Sequence, residues 1–131
     1  MARLYLEAFS AIPRLAVEPN VRNNAARAAA LAGSGRGEDA TSLDEAGRRR
    51  WRDQARRWLR ADLTQWGKPQ ADTTSRERVK QILTQWQNES DLAGLREPAE
   101  LLKLDKDERE DCISLWKEVA DILKRNSEVK Q

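Results

Sequence analysis

Pro13, Pro19, the glycines Gly33, Gly35 and Gly37, Gly67 with Pro69, Gly94 and Pro98 cut this chain into segments. Every segment between those breaks repeats its apolar residues at helical rather than alternating spacing. No strand candidate survives, so the chain is expected to be all-α. Its 131 residues set the expectation of one domain, 1–131, large enough to bury a single core. Five tryptophans mark that core as intended.

The first segment, 2–12, carries Leu4, Ala8, Ala11 and Ile12 on one face with Tyr5 and Phe9 beside them, and Pro13 stops it by withholding an amide donor. The second is alanine-rich through Ala25, Ala26, Ala28, Ala29 and Ala30, a composition of high helix propensity whose small side chains let a neighbouring backbone approach. Gly33 is expected to end it. A glycine-, serine- and acid-rich connection follows over 33–43, so that 20–66 forms a helix pair with a long turn.

Asp44 is the expected N-cap of the longest helix, which runs to about Trp66. On it Trp51, Ala55, Trp58, Leu59 and Trp66 fall in one core-facing stripe, while Arg49, Arg52, Arg56 and Arg60 make a separate one. The C-terminal helices occupy 74–125. Thr74 with Glu77 reads as a capping box ahead of Val79, Ile82, Leu83 and Trp86. Pro98 opens a short helix through Leu104, and Asp105 with Glu108 is a second capping box. The last helix should bury Cys112, Leu115, Trp116, Val119, Ile122 and Leu123. Two echoes appear within the chain: Leu63-Thr64-Gln65-Trp66 recurs as Leu83-Thr84-Gln85-Trp86, and Leu43-Asp44 as Leu104-Asp105.

Composition narrows the chemistry. Without histidine and with the single cysteine Cys112, the chain cannot supply a Ser-His-Asp or Cys-His set, a zinc tetrad or an internal disulfide. No catalytic, cofactor-binding or metal-binding residue is assigned, and the protein is not expected to be an enzyme. Apolar residues make up 39% and charged residues 35%, and basic residues exceed acids by only 24 to 22, which argues against both disorder and a polyanion-binding tail. The longest apolar run, Ala28 to Ala32, is far too short to span a membrane, and Met1-Ala2-Arg3-Leu4 begins no signal peptide. A cytoplasmic protein is expected.

Three features remain for function. Gly33-Ser34-Gly35-Arg36-Gly37 follows a helix rather than a strand and lacks the P-loop lysine and hydroxyl, so it is read as a helix end running into a linker. The segment from Arg48 to Arg60 holds seven arginines against Asp53 alone. Arginine grips phosphates and tryptophan stacks on bases, but Trp51 and Trp58 lie on the core stripe. Residues 67–131 carry 14 acids against 12 bases, so a solvated or internally paired basic face is preferred to a nucleic-acid surface. Asp62 sits in the middle of the tryptophan stripe and needs a partner, either an indole N–H or an arginine from another helix. No pocket gathering two or more ionisable side chains around it is expected, and Cys112 is read as a small buried thiol.

Tyr5, Ala8 and Pro13 are spaced as at the end of the second helix of a tetratricopeptide repeat, and 23–33 resembles a first helix. The succession Ala25 to Gly33, Gly37-Glu38-Asp39-Ala40, Leu43-Asp44, Arg50-Trp51-Arg52-Asp53-Gln54-Ala55, Trp58-Leu59-Arg60-Ala61-Asp62-Leu63 and Trp66 resembles the C-terminal tetratricopeptide-type tail of large bacterial serine/threonine protein kinases. The similarity continues through Val79, Leu83, Trp86-Gln87, Asp91 to Arg96, Pro98-Ala99, Leu104 and Leu115-Trp116. It implies a non-catalytic interaction region in a helical bundle or short solenoid. No H-R-D or D-F-G of a kinase catalytic domain is present.

The expectation is therefore five or six helices in antiparallel pairs, acting as a protein–protein interaction module. Its groove would draw on the alanine-rich helix and on Arg49, Arg52, Arg56 and Arg60, for an acidic peptide or acidic domain. The alternative is a nucleic-acid binder using the same arginines. Because 2–12 opens in mid-repeat, Leu4, Ala8 and Ile12 lack their usual cover, and self-association or exchange of that helix is expected.

Overall fold

The computed structural model describes residues 2–12, 19–35 and 44–127. Pro13, Gly37 and the connection 36–43 lie outside them. The described residues form seven α-helices and no strand: α1 (Ala2–Ala11), α2 (Pro19–Gly33), α3 (Glu45–Trp66), α4 (Thr73–Asn88), α5 (Ala93–Arg96), α6 (Pro98–Leu101) and α7 (Lys106–Ser127). A single 3-10 turn, Ser90–Leu92, precedes α5. The count exceeds five or six because α5 and α6 are separate single turns, divided at Glu97 by extended backbone ahead of Pro98.

Local chemistry sets the helix starts. Asp44 accepts the amide of Gly47 at 2.8 Å, and Asp105 accepts that of Glu108 at 2.9 Å, so the aspartates of the two echoes open the two 22-residue helices alike. Only half of the second capping box forms, because the Glu108 side chain turns inward instead of back to the cap. The first box is replaced: Asp72, not Thr74, caps α4 by accepting from Ser75 at 2.7 Å, and Thr74 lies one residue inside the helix.

α2 is the centre of the bundle. Ala25, Ala26, Ala29, Ala30 and Ala32 are all buried, and α2 packs most closely on α3 while also touching α1, the 3-10 turn and α5. An enclosed alanine face cannot also line an open groove, which corrects that expectation. Gly33 marks the closest approach: a Cβ there would stand 2.3 Å from Arg52 Cγ and 2.9 Å from the Arg52 backbone nitrogen. Gly33 is thus a packing glycine within the helix. The left-handed residue beyond the helix end is Gly35, at φ 81°.

Gly33 lies against Arg52 while Arg22 meets Asp62, so residue numbers fall along α3 as they rise along α2, and the two run antiparallel. Numbers rise together where Arg49 meets Asp105, Arg52 meets Glu108 and Arg60 meets Glu118. α3 and α7 therefore run side by side in the same direction. That departs from uniform antiparallel pairing, and it follows from the intervening helices carrying the chain back to the start of α3.

α4 packs on α7, which buries Val79, Leu83 and Trp86 on one and Cys112, Leu115, Val119 and Ile122 on the other. Trp116 and Leu123 are only half-buried, and the Trp116 indole N–H donates to the Leu95 carbonyl at 2.9 Å. Arg96 donates to the carbonyls of Trp86 at 3.0 Å and Glu89 at 2.8 Å, closing the end of α4. α1 is anchored by Phe9, whose ring meets Trp58 edge-on at 5.3 Å, and Ala2 is buried with it. Leu4 and Ile12, expected to share a face with Ala8, stand in solvent.

Candidate functional site

The four arginines singled out from the sequence face α7. Arg49 pairs with Asp105, and Arg60 reaches Asp111 at 2.7 Å and Glu118 at 3.4 Å. Between them Arg52 and Arg56 are buried and share Glu108, at 2.6 Å from Arg52 Nε and 2.8 Å from an Arg56 terminal nitrogen. Arg52 also donates to Glu45 at 2.7 Å and to the Gly33 carbonyl at 2.8 Å, tying three helices together. Arg56 binds Asp53, and its Nε lies 2.8 Å from Asp111 without pointing its hydrogen there. The middle of the stripe that periodicity separated from the core is inside the protein, its ends are partly exposed, and all four arginines are paired with acids of their own chain.

Burial would raise the Glu108 carboxyl, but hydrogen bonds from Arg52 and then Arg56 more than reverse this and hold it below the ordinary glutamate range. Burial also opposes the charge on Arg56, yet the Glu108 hydrogen bond leads the contacts that raise it above the usual value. Cys112, 3.8 Å from an Arg56 nitrogen, is pushed up by burial, so it stays an inert thiol.

Different arginines remain open. Arg3 of α1 and Arg50 and Arg57 of α3 are exposed, have no ion pair among the described residues, and line a cleft of about 360 Å³ with Leu6, Trp51 and Gln54. Asp53, the acid in the cleft, is engaged by Arg49 and Arg56. Trp51 is half-buried here, so it is not withdrawn from the arginines as the stripe plot implied. Arg50 and Arg57 are seven apart, two turns on one face. That periodicity was visible in the sequence, but α1 arriving beside them was not.

Asp62 receives its hydrogen bond from Arg22 of α2, the second of the two partners foreseen. Burial outweighs this contact and pushes the carboxyl up to about 6. The cleft beside it, about 240 Å³, brings one further ionisable side chain, Arg27, into its lining. Arg27 is held by Glu89 at 3.1 Å and by Asn24. A guanidinium that stays protonated gives Asp62 no partner for acid–base exchange.

No family model matches the chain, and no curated protein or solved structure does. Among the described residues no cluster of acids and cysteine is arranged to hold a metal ion, and no helix is long and apolar enough to cross a membrane.

Proposed function

We propose that this chain is a non-catalytic protein–protein interaction module of the cytoplasm that docks an acidic segment in the cleft between α1 and α3. The observation that carries this reading is the contrast within one helix. Arg49, Arg52, Arg56 and Arg60 are paired internally, whereas Arg50 and Arg57, with Arg3 opposite, surround Leu6 and Trp51 with no carboxylate of their own. Guanidiniums around an apolar floor suit a peptide that alternates carboxylates with an aliphatic or aromatic anchor. The partner-binding role assigned to the stripe therefore moves one face round the same helix.

Similarity to the tails of bacterial serine/threonine kinases supports the same class of function. A kinase catalytic domain encoded in the same reading frame would strengthen it. Binding is tested by calorimetric titration with a Glu- and Leu-rich peptide. The Arg50→Glu/Arg57→Glu variant should lose binding by roughly ten-fold or more with its melting temperature unchanged, since neither side chain has an internal partner. A steep salt dependence with single-stranded or duplex oligonucleotides, and no peptide binding, would instead establish the nucleic-acid alternative. Self-association through 2–12 is a second reading, favoured by Leu4 at 65% and Ile12 at 44% exposure. Light scattering should then show a dimer that Leu4→Glu dissociates.

A further inference from the structure

The cleft beside Asp62 collects features that the acidic-peptide reading does not use. It is lined by α2, the end of α3 and α4, away from Arg3, Arg50 and Arg57. The echoed Leu-Thr-Gln-Trp motifs end here: Leu63 and Leu83 point into the core, while Trp66 and Trp86 both line the cleft. Three buried polar atoms of its lining, Asp62 Oδ2, Asn23 Nδ2 and Arg27 Nε, have no hydrogen-bond partner. The first is an acceptor and the other two are donors. Leaving such groups unmet in a folded interior is costly, and natural structures rarely tolerate it without a water or ligand.

Charge and size narrow what fits. Asp62 is already neutralised by Arg22, and Arg27 by Glu89, so the cleft offers no net field to a free ammonium or a phosphate. A neutral molecule that presents an N–H beside an acceptor matches Asp62 Oδ2 and Asn23 Nδ2, and the indoles of Trp66 and Trp86 in the lining favour a planar one. The volume of about 240 Å³ suits a single small ring system rather than a larger ligand. We propose that this cleft binds a small neutral heterocycle of the lactam type, its ring against Trp66 and Trp86, its N–H donated to Asp62 and its carbonyl accepting from Asn23.

Uracil is the probe, and 1,3-dimethyluracil, which keeps the ring but has no N–H, is the control. In a two-dimensional amide and indole NMR titration, uracil should shift the Trp66 and Trp86 indole signals and the Asn23 side-chain amide. The dimethyl compound should bind roughly ten-fold more weakly, since it leaves the carboxylate unmet. Asn23→Ala should weaken uracil several-fold while leaving the acidic-peptide titration unchanged. It also leaves the ion pair between Arg22 and Asp62 in place. Equal response to both compounds overturns the proposal, as does a wild-type affinity in Asn23→Ala. No shift up to saturation overturns it too and leaves a cleft filled by water alone.

Discussion

Glu108 shows how much one carboxylate can hold in place. It is 2% exposed and serves two buried guanidiniums at once. Removing one member of a buried ion group leaves the others charged without solvent, which destabilises far more than replacing the whole group with apolar side chains. Glu108→Ala should therefore lower stability by about 3–5 kcal/mol in urea titration. The triple variant Arg52→Met/Arg56→Leu/Glu108→Leu should unfold near the wild-type midpoint. Asp62 makes an opposite demand. Its folded value, about 6, lies above the ordinary 3.8, so between those values the folded chain keeps a proton that the unfolded chain releases. Stability consequently falls as pH rises through that window, by an amount on the order of 2–3 kcal/mol. Glu108, shifted downward, contributes stability at neutral pH that disappears as acid protonates it. In Asp62→Asn the decline between pH 4 and 6 should vanish while the acid limb from Glu108 remains, a difference that melting curves across pH will show.

Among the helices, α2 and α3 are joined by a seam of alanines closed at one end by Gly33 and at the other by Arg22 with Asp62. Small residues allow the close approach, and the charged contacts at the ends fix the sliding position of one helix on the other. Gly33→Ala places a methyl against the Arg52 backbone and the Arg48 carbonyl, at 2.9 and 3.0 Å. Neither backbone can yield without parting the helices. A loss of about 1–3 kcal/mol is expected, outweighing the gain in helix propensity, and the urea midpoint measures it. The α3–α7 seam is of another kind. Its ladder of arginines and acids specifies which helix meets which and in what direction, while α7 packs more extensively on α4.

For the molecule as a whole, α1 is the least enclosed long element, attached chiefly by Ala2 and by Phe9 on Trp58. It is also one wall of the arginine cleft. Attachment and binding are thus coupled: Phe9→Ala should speed hydrogen exchange throughout α1, leave protection in α3 and α7 intact, and weaken the acidic peptide along with it. Peptide affinity unchanged in a chain whose α1 has detached would separate the cleft from the function assigned to it.

Helix class, the caps Asp44 and Asp105, the end of α3 at Trp66 and the buried face Cys112, Leu115, Val119 and Ile122 were all legible in the chain as a string. Each depends on residues within a turn or two of one another, where 3.6-residue periodicity and a side chain three positions from an amide suffice. The arginine stripe was equally legible as a stripe, but not its fate. Arg52 and Glu108 stand 56 positions apart, and only the path through α4, α5 and α6 brings α7 alongside α3 in the direction that matches their charges. The same holds for Arg3 beside Arg50, and for Trp66 and Trp86 around one cleft. Local rules decide which face a side chain occupies, while the meeting of distant faces is settled by the packing of the entire chain.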